Sequence, residues 1–245
     1  MSSTPRPRSA PAAASSGRPG WPRQCPLCRG WTTQALCADC LQRFSAPVPR
    51  CGSCARRLGL AVARCADCLR EPPPFERCLC AGDYGFPWDR LITAFKFHAQ
   101  VELAPALALA LQTAVERADG LRVDLVLPVP LSAARLAERG HHQAWEIARR
   151  VARGCGLAAR ADALLRLRDT AHQVGLSRRE RAANLRDAMW IEPSRVATLH
   201  GRRIALVDDV LTTGATVAAA AEVLRQAGAA SVDVWVVART PDPHD

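Results

Sequence analysis

Between Ile204 and Thr216 the chain reads Ile-Ala-Leu-Val-Asp-Asp-Val-Leu-Thr-Thr-Gly-Ala-Thr. An apolar run meets two adjacent carboxylates, Asp208 and Asp209, and then a hydroxyl-rich loop. A loop that feeds a helix N-terminus offers unpaired backbone N–H groups and the positive end of the helix dipole. Thr212, Thr213 and Thr216 add hydroxyl donors, and Gly214 lets the backbone approach a ligand closely. That combination makes a cradle for one phosphate dianion. The carboxylates cannot hold the same phosphate. They suit a vicinal diol, or a metal held by that diol, and a phosphate beside a diol is a ribose 5-phosphate. The reading fails if the fold buries Asp208 and Asp209 in salt bridges, or leaves no anion nest at Thr212–Thr216.

A second constellation is built from thiols. Cys25/Cys28, Cys37/Cys40, Cys51/Cys54 and Cys65/Cys68 are four CxxC pairs and take up eight of the eleven cysteines. A CxxC turn places two thiolates on one side of a tight loop, and two such turns complete a tetrahedral site. Eight ligands suffice for two Zn²⁺, paired sequentially or interleaved. All-thiolate sites leave no open position, so these metals are expected to be structural. Cys78, Cys80 and Cys155 fall outside the pattern and read as ordinary buried or half-buried thiols.

The elements that position the phosphate cradle alternate between strand and helix patterns. Asp124–Leu127 reads as a buried strand stopped by Pro128, Ile204–Val207 as a short apolar strand and Val232–Ala238 as another. Val101–Ala118, Ala144–Cys155 and Thr216–Gln226 carry helical periodicity. Such alternation predicts an α/β domain with a mostly parallel sheet flanked by helices, with ligands beyond the carboxyl ends of the strands. Residues 1–23 are expected to be a disordered Pro/Ala/Ser tail, 24–72 a double zinc ribbon ending at a stiff Pro72-Pro73-Pro74 linker, and 73–245 the α/β domain.

Composition narrows the setting. An apolar fraction of 49% can supply a core, and no stretch approaches the ~18 apolar residues of a membrane span. No secretory signal is evident in the first 23 residues. A reducing, cytoplasmic compartment is therefore expected, in which metal outranks disulfide. The net charge of +10 suggests affinity for phosphates or nucleic acid. Lys96 is the single lysine among 33 basic residues, so part of the arginine excess reflects compositional bias.

Asp-Asp-x-x-Thr-Thr-Gly-x-Thr after a strand resembles the phosphoribosyl-pyrophosphate (PRPP) motif of type I phosphoribosyltransferases. Paired acids at strand ends also occur in response regulators and Walker B strands, but Thr-Thr-Gly-Ala-Thr fits neither. The wider chain is similar to the competence protein F (ComF/GntX) family. The resemblance rests on the four CxxC pairs, Leu91–Phe97, Val129-Pro130-Leu131-Ser132, Arg139-Gly140-His141-His142-Gln143, and Arg168–Gln173 followed by Leu176, Ser177, Arg181 and Asn184. The family's Arg-Gly-Phe-Asn-Gln reads Arg-Gly-His-His-Gln here.

The resemblance implies that Asp208 and Asp209 engage the ribose hydroxyls and the Mg²⁺ they chelate. Thr212, Thr213, Gly214, Ala215 and Thr216 would hold the 5-phosphate, partly through main chain. Pro130, Leu131, Arg135 and Arg139 would face the pyrophosphate, although a solvated helix face also accounts for the two arginines. Arg168, Thr170 and Gln173 would close over the pyrophosphate, and Lys96 would contact phosphate or ligand. His141 and His142 read better as packing residues than as general bases. Two functions follow: Mg-dependent phosphoribosyl transfer from PRPP to a nucleobase-like nitrogen acceptor, or a PRPP-sensing adaptor that handles single-stranded DNA or meets the competence machinery. A closed pocket over Asp209, made by Lys96 and residues 75–100, would favour the enzyme.

Overall fold

The computed structural model describes residues 21–59, 62–167 and 188–241. It begins with two cysteine knuckles. β1 (Arg23–Gln24) pairs antiparallel with β2 (Trp31–Thr32), and α1 (Ala38–Phe44) follows, capped by the Cys37 sulfur accepting from the Cys40 amide at 3.4 Å. The second knuckle ends in α2 (Ala66–Arg70). Each knuckle is tied to a different part of the larger unit. The first donates nothing to the sheet; instead the Phe44 carbonyl accepts from Trp88 Nε1 at 3.0 Å and the Ser45 carbonyl from Arg117 at 2.5 Å. The second docks on the sheet edge, where the Cys78 amide donates to the Gly52 carbonyl at 3.0 Å.

Five strands form one all-parallel sheet. In chain order the elements are β3 (Arg77–Asp83), α3 (Trp88–Phe97), a 3₁₀ turn (Val101–Leu103), α4 (Ala104–Glu116), β4 (Leu125–Pro128), α5 (Ala133–Arg139), α6 (Gln143–Gly154) and β5 (Ala158–Ala159). A small antiparallel pair follows, β6 (Leu164–Arg166) with β7 (Met189–Ile191), then α7 (Val196–Leu199). The chain closes with β8 (Arg203–Leu211), α8 (Ala215–Gln226) and β9 (Ser231–Arg239). The strand order is β3-β9-β8-β4-β5.

The period-two alternation of strands divides the core in two. On β8, Ala205 and Val207 pack with α4 and α6, as do Trp235 and Val237 of β9. Ile204 and Leu206, with Val232, Val234 and Val236, pack on the other face against α8. Both faces are covered, so the central strands are apolar almost throughout, as parallel sheets require. Cutting a fully buried side chain such as Leu206 to Ala costs about 2–5 kcal/mol. The α/β expectation, with a cysteine-rich module before it, is met.

Two departures bear on the site. The strand expected at Ile204–Val207 runs on to Leu211, because β9 is equally long and pairs with it as far as Leu211 opposite Arg239. Asp208 and Asp209 therefore sit within the strand, with its alternation. The segment 75–100 does not form one cover: 77–83 is an edge strand parallel to β9, and Tyr84 just beyond it and Lys96 of α3 are what approach the acids. Among the described residues no helix is long and apolar enough to cross a membrane.

Candidate functional site

β8 carries its two carboxylates to the carboxyl edge of the sheet, where loops from neighbouring strands converge. Consecutive strand residues point to opposite sides, and the two acids accordingly differ. Asp209 is buried, and its Oδ1 lies 2.7 Å from Lys96 Nζ. Asp208 is half-buried, accepts the Asp209 amide at 2.9 Å, and forms no ion pair among the described residues. One acid of the pair, Asp209, thus ends in a salt bridge, and the other, Asp208, does not. Burial, with the Asp209 carboxylate beside it, pushes Asp208 up to about 7, while Lys96 pulls the other way.

The loop beyond β8 turns into α8 at Gly214, which caps the helix with φ 81°. That left-handed conformation strains any residue with a Cβ, which accounts for the glycine. The first amides of α8 have no intrahelical partners, so they are donors for an anion. Thr212 and Thr213 are exposed, and the Ala215 amide has only a long 3.4 Å contact to Thr213 Oγ1.

The facing wall follows β4. Ser132 caps α5 by accepting the Arg135 amide at 3.2 Å, and Gly140 closes that helix with φ 73°. Arg139, in the last turn, sits in a ring of hydrogen bonds. Its Nη1 donates to Gln143 Oε1 at 3.2 Å, Gln143 Nε2 donates to His141 Nε2 at 3.5 Å, and His141 Nδ1 donates to the Arg139 carbonyl at 3.0 Å. The guanidinium also lies 5.4 Å from the Phe97 ring centroid. His142 donates from Nε2 to the Val129 carbonyl at 3.0 Å, and burial pulls its pKa down, so it stays neutral near pH 7. Both histidines thus hold loop geometry, as packing residues would.

A cleft of about 360 Å³ lies between these walls. Lys96, Pro130, Leu131, Arg139, Asp208, Asp209, Thr212 and Thr216 all line it. Thr213, Gly214 and Ala215 shape the adjoining turn without lining the cleft. Arg135 stands apart: it is exposed on α5 and reaches Glu138 at 3.4 Å. Arg168, Thr170 and Gln173 lie outside the described residues. Tyr84, His142, Gln143, Arg166 and Thr240 also line the cleft and were not assigned to the ligand from sequence. Gln143 was within reach, because it closes the Arg-Gly-His-His-Gln segment; Tyr84 and Thr240 follow strand ends that carry no local motif.

The cysteines group sequentially, Cys25/Cys28/Cys37/Cys40 and Cys51/Cys54/Cys65/Cys68, with all sulfurs of a group within 4.8 Å. Cys28 and Cys37 sulfurs are 3.6 Å apart, and Cys54 and Cys65 sulfurs 3.7 Å. A disulfide needs ~2.05 Å, whereas Zn–S bonds of ~2.3 Å in a tetrahedron separate sulfurs by roughly 3.8 Å. Burial and neighbouring sulfurs push Cys68 far above an ordinary thiol. At Cys51 burial is outweighed by amide hydrogen bonds from Cys65, Cys54 and Ser53, which draw the thiol down to about 7. Four crowded thiols of this kind cannot all ionise without a cation, and each group could hold a metal ion.

The sequence matches a known family and known proteins. Residues 111–244 match the phosphoribosyl transferase domain family. The DNA utilization protein YhgH of Salmonella typhimurium is 38% identical over 176 residues, covering 70% of this chain and 76% of that protein. Competence protein F of Haemophilus influenzae is 33% identical over 175 residues, with the same two coverages of 70% and 76%. Among solved structures, glutamine PRPP amidotransferase from B. subtilis superposes with a TM-score of 0.41 at 17% identity, over 58% of this chain and 30% of that one. With the strand–acid–acid–loop–helix unit inside the matched region and the paired thiol clusters ahead of it, the chain belongs to the phosphoribosyl transferase domain family, in its competence protein F branch.

Proposed function

We propose that the cleft binds PRPP with Mg²⁺ and transfers its phosphoribosyl group to a nitrogen acceptor of nucleobase type. The carrying observation is that one cleft is lined by both carboxylates, by Thr212 and Thr216 around the Gly214-capped start of α8, and by Leu131 and Arg139. PRPP carries a set of groups that these would suit: a 5-phosphate, a diol and a pyrophosphate.

In this reading the amides and hydroxyls from Thr212 to Thr216 bind the 5-phosphate. Asp208 and Asp209 accept hydrogen bonds from the ribose hydroxyls. Arg139, aimed by Gln143 and His141, faces the pyrophosphate. Mg²⁺, when bound with PRPP, neutralises charge on the departing pyrophosphate. The bond between C1 of the ribose and the pyrophosphate oxygen breaks, its electron pair leaves with pyrophosphate, and the acceptor nitrogen bonds to C1 and loses a proton. Charge stabilisation of the leaving group supplies the catalysis, so no nucleophile–base dyad is needed.

The Lys96–Asp209 pair must open for this to occur. Both members line the cleft, and PRPP offers a partner to each: hydroxyls to the carboxylate and phosphate oxygens to the ammonium. Exchanging partners keeps the ammonium beside an anion and the carboxylate hydrogen-bonded, which offsets part of the cost of opening. The same ion pair supports the second reading, a PRPP sensor in which ligand binding releases Lys96 and α3 without turnover. Thiol-bound zinc in both clusters, two ions per chain, belongs to either reading.

Calorimetric titration with PRPP, with and without Mg²⁺, tests the site. Wild-type chain is expected to bind, with Mg²⁺ strengthening the interaction, and Asp209→Ala to lose binding. Equal binding by the two chains would refute the assignment.

A further inference from the structure

Arg239, the last residue of β9, touches two parts of the molecule that are far apart in sequence. Its Nε donates to the Cys54 carbonyl at 3.1 Å. Its Nη1 donates to the carbonyls of Leu211 at 3.1 Å, Thr212 at 2.6 Å and Thr240 at 2.8 Å. Cys54 belongs to the second thiol group, and Leu211 and Thr212 lead into the loop that ends at Gly214.

The geometry has a direct consequence for the loop. In a trans peptide the C=O and the following N–H point in opposite directions. Holding the Leu211 and Thr212 carbonyls on Arg239 therefore turns the Thr212 and Thr213 amides away from the knuckle. The guanidinium can do this because its donors form a rigid planar fork; a lysine ammonium, a single point on a flexible stem, cannot reach both sides at once. The knuckle end is firmly held as well. The Ala55 amide donates to the Cys51 carbonyl at 2.8 Å, the Cys78 amide to Gly52 at 3.0 Å, and Arg50 pairs with Asp83 at 2.5 Å.

We propose that Arg239 is a positioning residue that ties the second metal knuckle to the phosphate loop, so that metal bound by Cys51, Cys54, Cys65 and Cys68 supports the anion site. The inference rests on reading the Thr212–Thr216 loop as the phosphate cradle. It makes the two thiol groups unequal. The first contacts α3 and α4 through Phe44 and Ser45, and its described hydrogen bonds do not reach the loop.

The test compares full-length wild type, Arg239→Lys, Cys54→Ser, the double variant and Cys28→Ser. Three quantities are read: zinc content, amide hydrogen exchange over residues 211–216, and PRPP affinity by calorimetry. Arg239→Lys is expected to keep both metals, to speed loop exchange about tenfold, and to weaken PRPP about tenfold. Unchanged exchange in the centres of β8 and β9 shows that the fold is intact. Cys54→Ser is expected to loosen the loop similarly, the double variant no further, and Cys28→Ser not at all. Wild-type exchange rates in Arg239→Lys, or additive effects in the double variant, overturn the proposal. If wild type binds no PRPP while loop exchange responds as described, the strut stands and the PRPP reading falls.

Discussion

Replacing Asp208 by Asn tests the electrostatics of the sheet edge without any ligand. Burial and the neighbouring Asp209 carboxylate push Asp208 from 3.8 up to about 7. The folded chain then keeps a proton that the unfolded chain has already lost. Because the folded pKa lies above the unfolded one, this group favours the native state below about pH 4. Its contribution is lost as pH rises towards 7 and is constant beyond that. Each pH unit inside the window corresponds to about 1.36 kcal/mol, so pH 5.5 to 7 spans about 2 kcal/mol. Partial exposure of Asp208 screens the effect, and about 1 kcal/mol is the working expectation. Asparagine does not titrate. Urea unfolding at pH 5.5, 6.5, 7.5 and 8.5 should therefore show Asp208→Asn gaining about 1 kcal/mol on wild type, most of it below pH 7. A difference that stays constant across the series, or a variant that loses ground as pH rises, refutes the reasoning.

Further outcomes follow from Lys96 and from the thiol groups. Lys96→Met leaves the buried Asp209 carboxylate without its cation and is expected to cost about 2–3 kcal/mol in denaturant unfolding, somewhat less than a fully buried pair. Because Lys96 lowers the Asp208 pKa, the same variant should shift the pH dependence of unfolding upwards. Metal analysis should find close to two zinc ions per chain, and chelation should release them with loss of structure in the two knuckles, leaving a metal-free, folded 24–72 segment as the contrary result.

Much of the scaffold was legible because its signals are local. Apolar periodicity marked β4, β9, α6 and α8 to within a residue and α4 to within three, its expected first turn being the 3₁₀ turn Val101–Leu103, and the CxxC spacing marked both thiol groups. β3 was less visible: Arg-Cys-Leu-Cys-Ala-Gly-Asp holds only four consecutive apolar residues, none of them β-branched or aromatic, and its place is set by pairing with β9. The acids were legible as a motif, but not their difference. Asp209 is buried because β8 continues beyond Val207, and that depends on the length of β9. Long-range partners left no trace in the sequence. Lys96 meets Asp209, and Arg239 meets both Cys54 and Thr212, only after the sheet has formed. Arg135 illustrates the converse. It follows the right strand and shares a helix face with Arg139, yet it sits one turn earlier, exposed and paired with Glu138, while Arg139 in the last turn of α5 lines the cleft.

A crystal structure of the full chain grown with PRPP and Mg²⁺ decides whether this cleft holds PRPP. The 5-phosphate is expected on the amides between Thr212 and Thr216, the ribose hydroxyls on Asp208 and Asp209, the pyrophosphate facing Leu131 and Arg139, and Lys96 moved off Asp209. PRPP bound elsewhere, or bound in this cleft with the Lys96–Asp209 pair intact and the diol away from both acids, would contradict the proposed function.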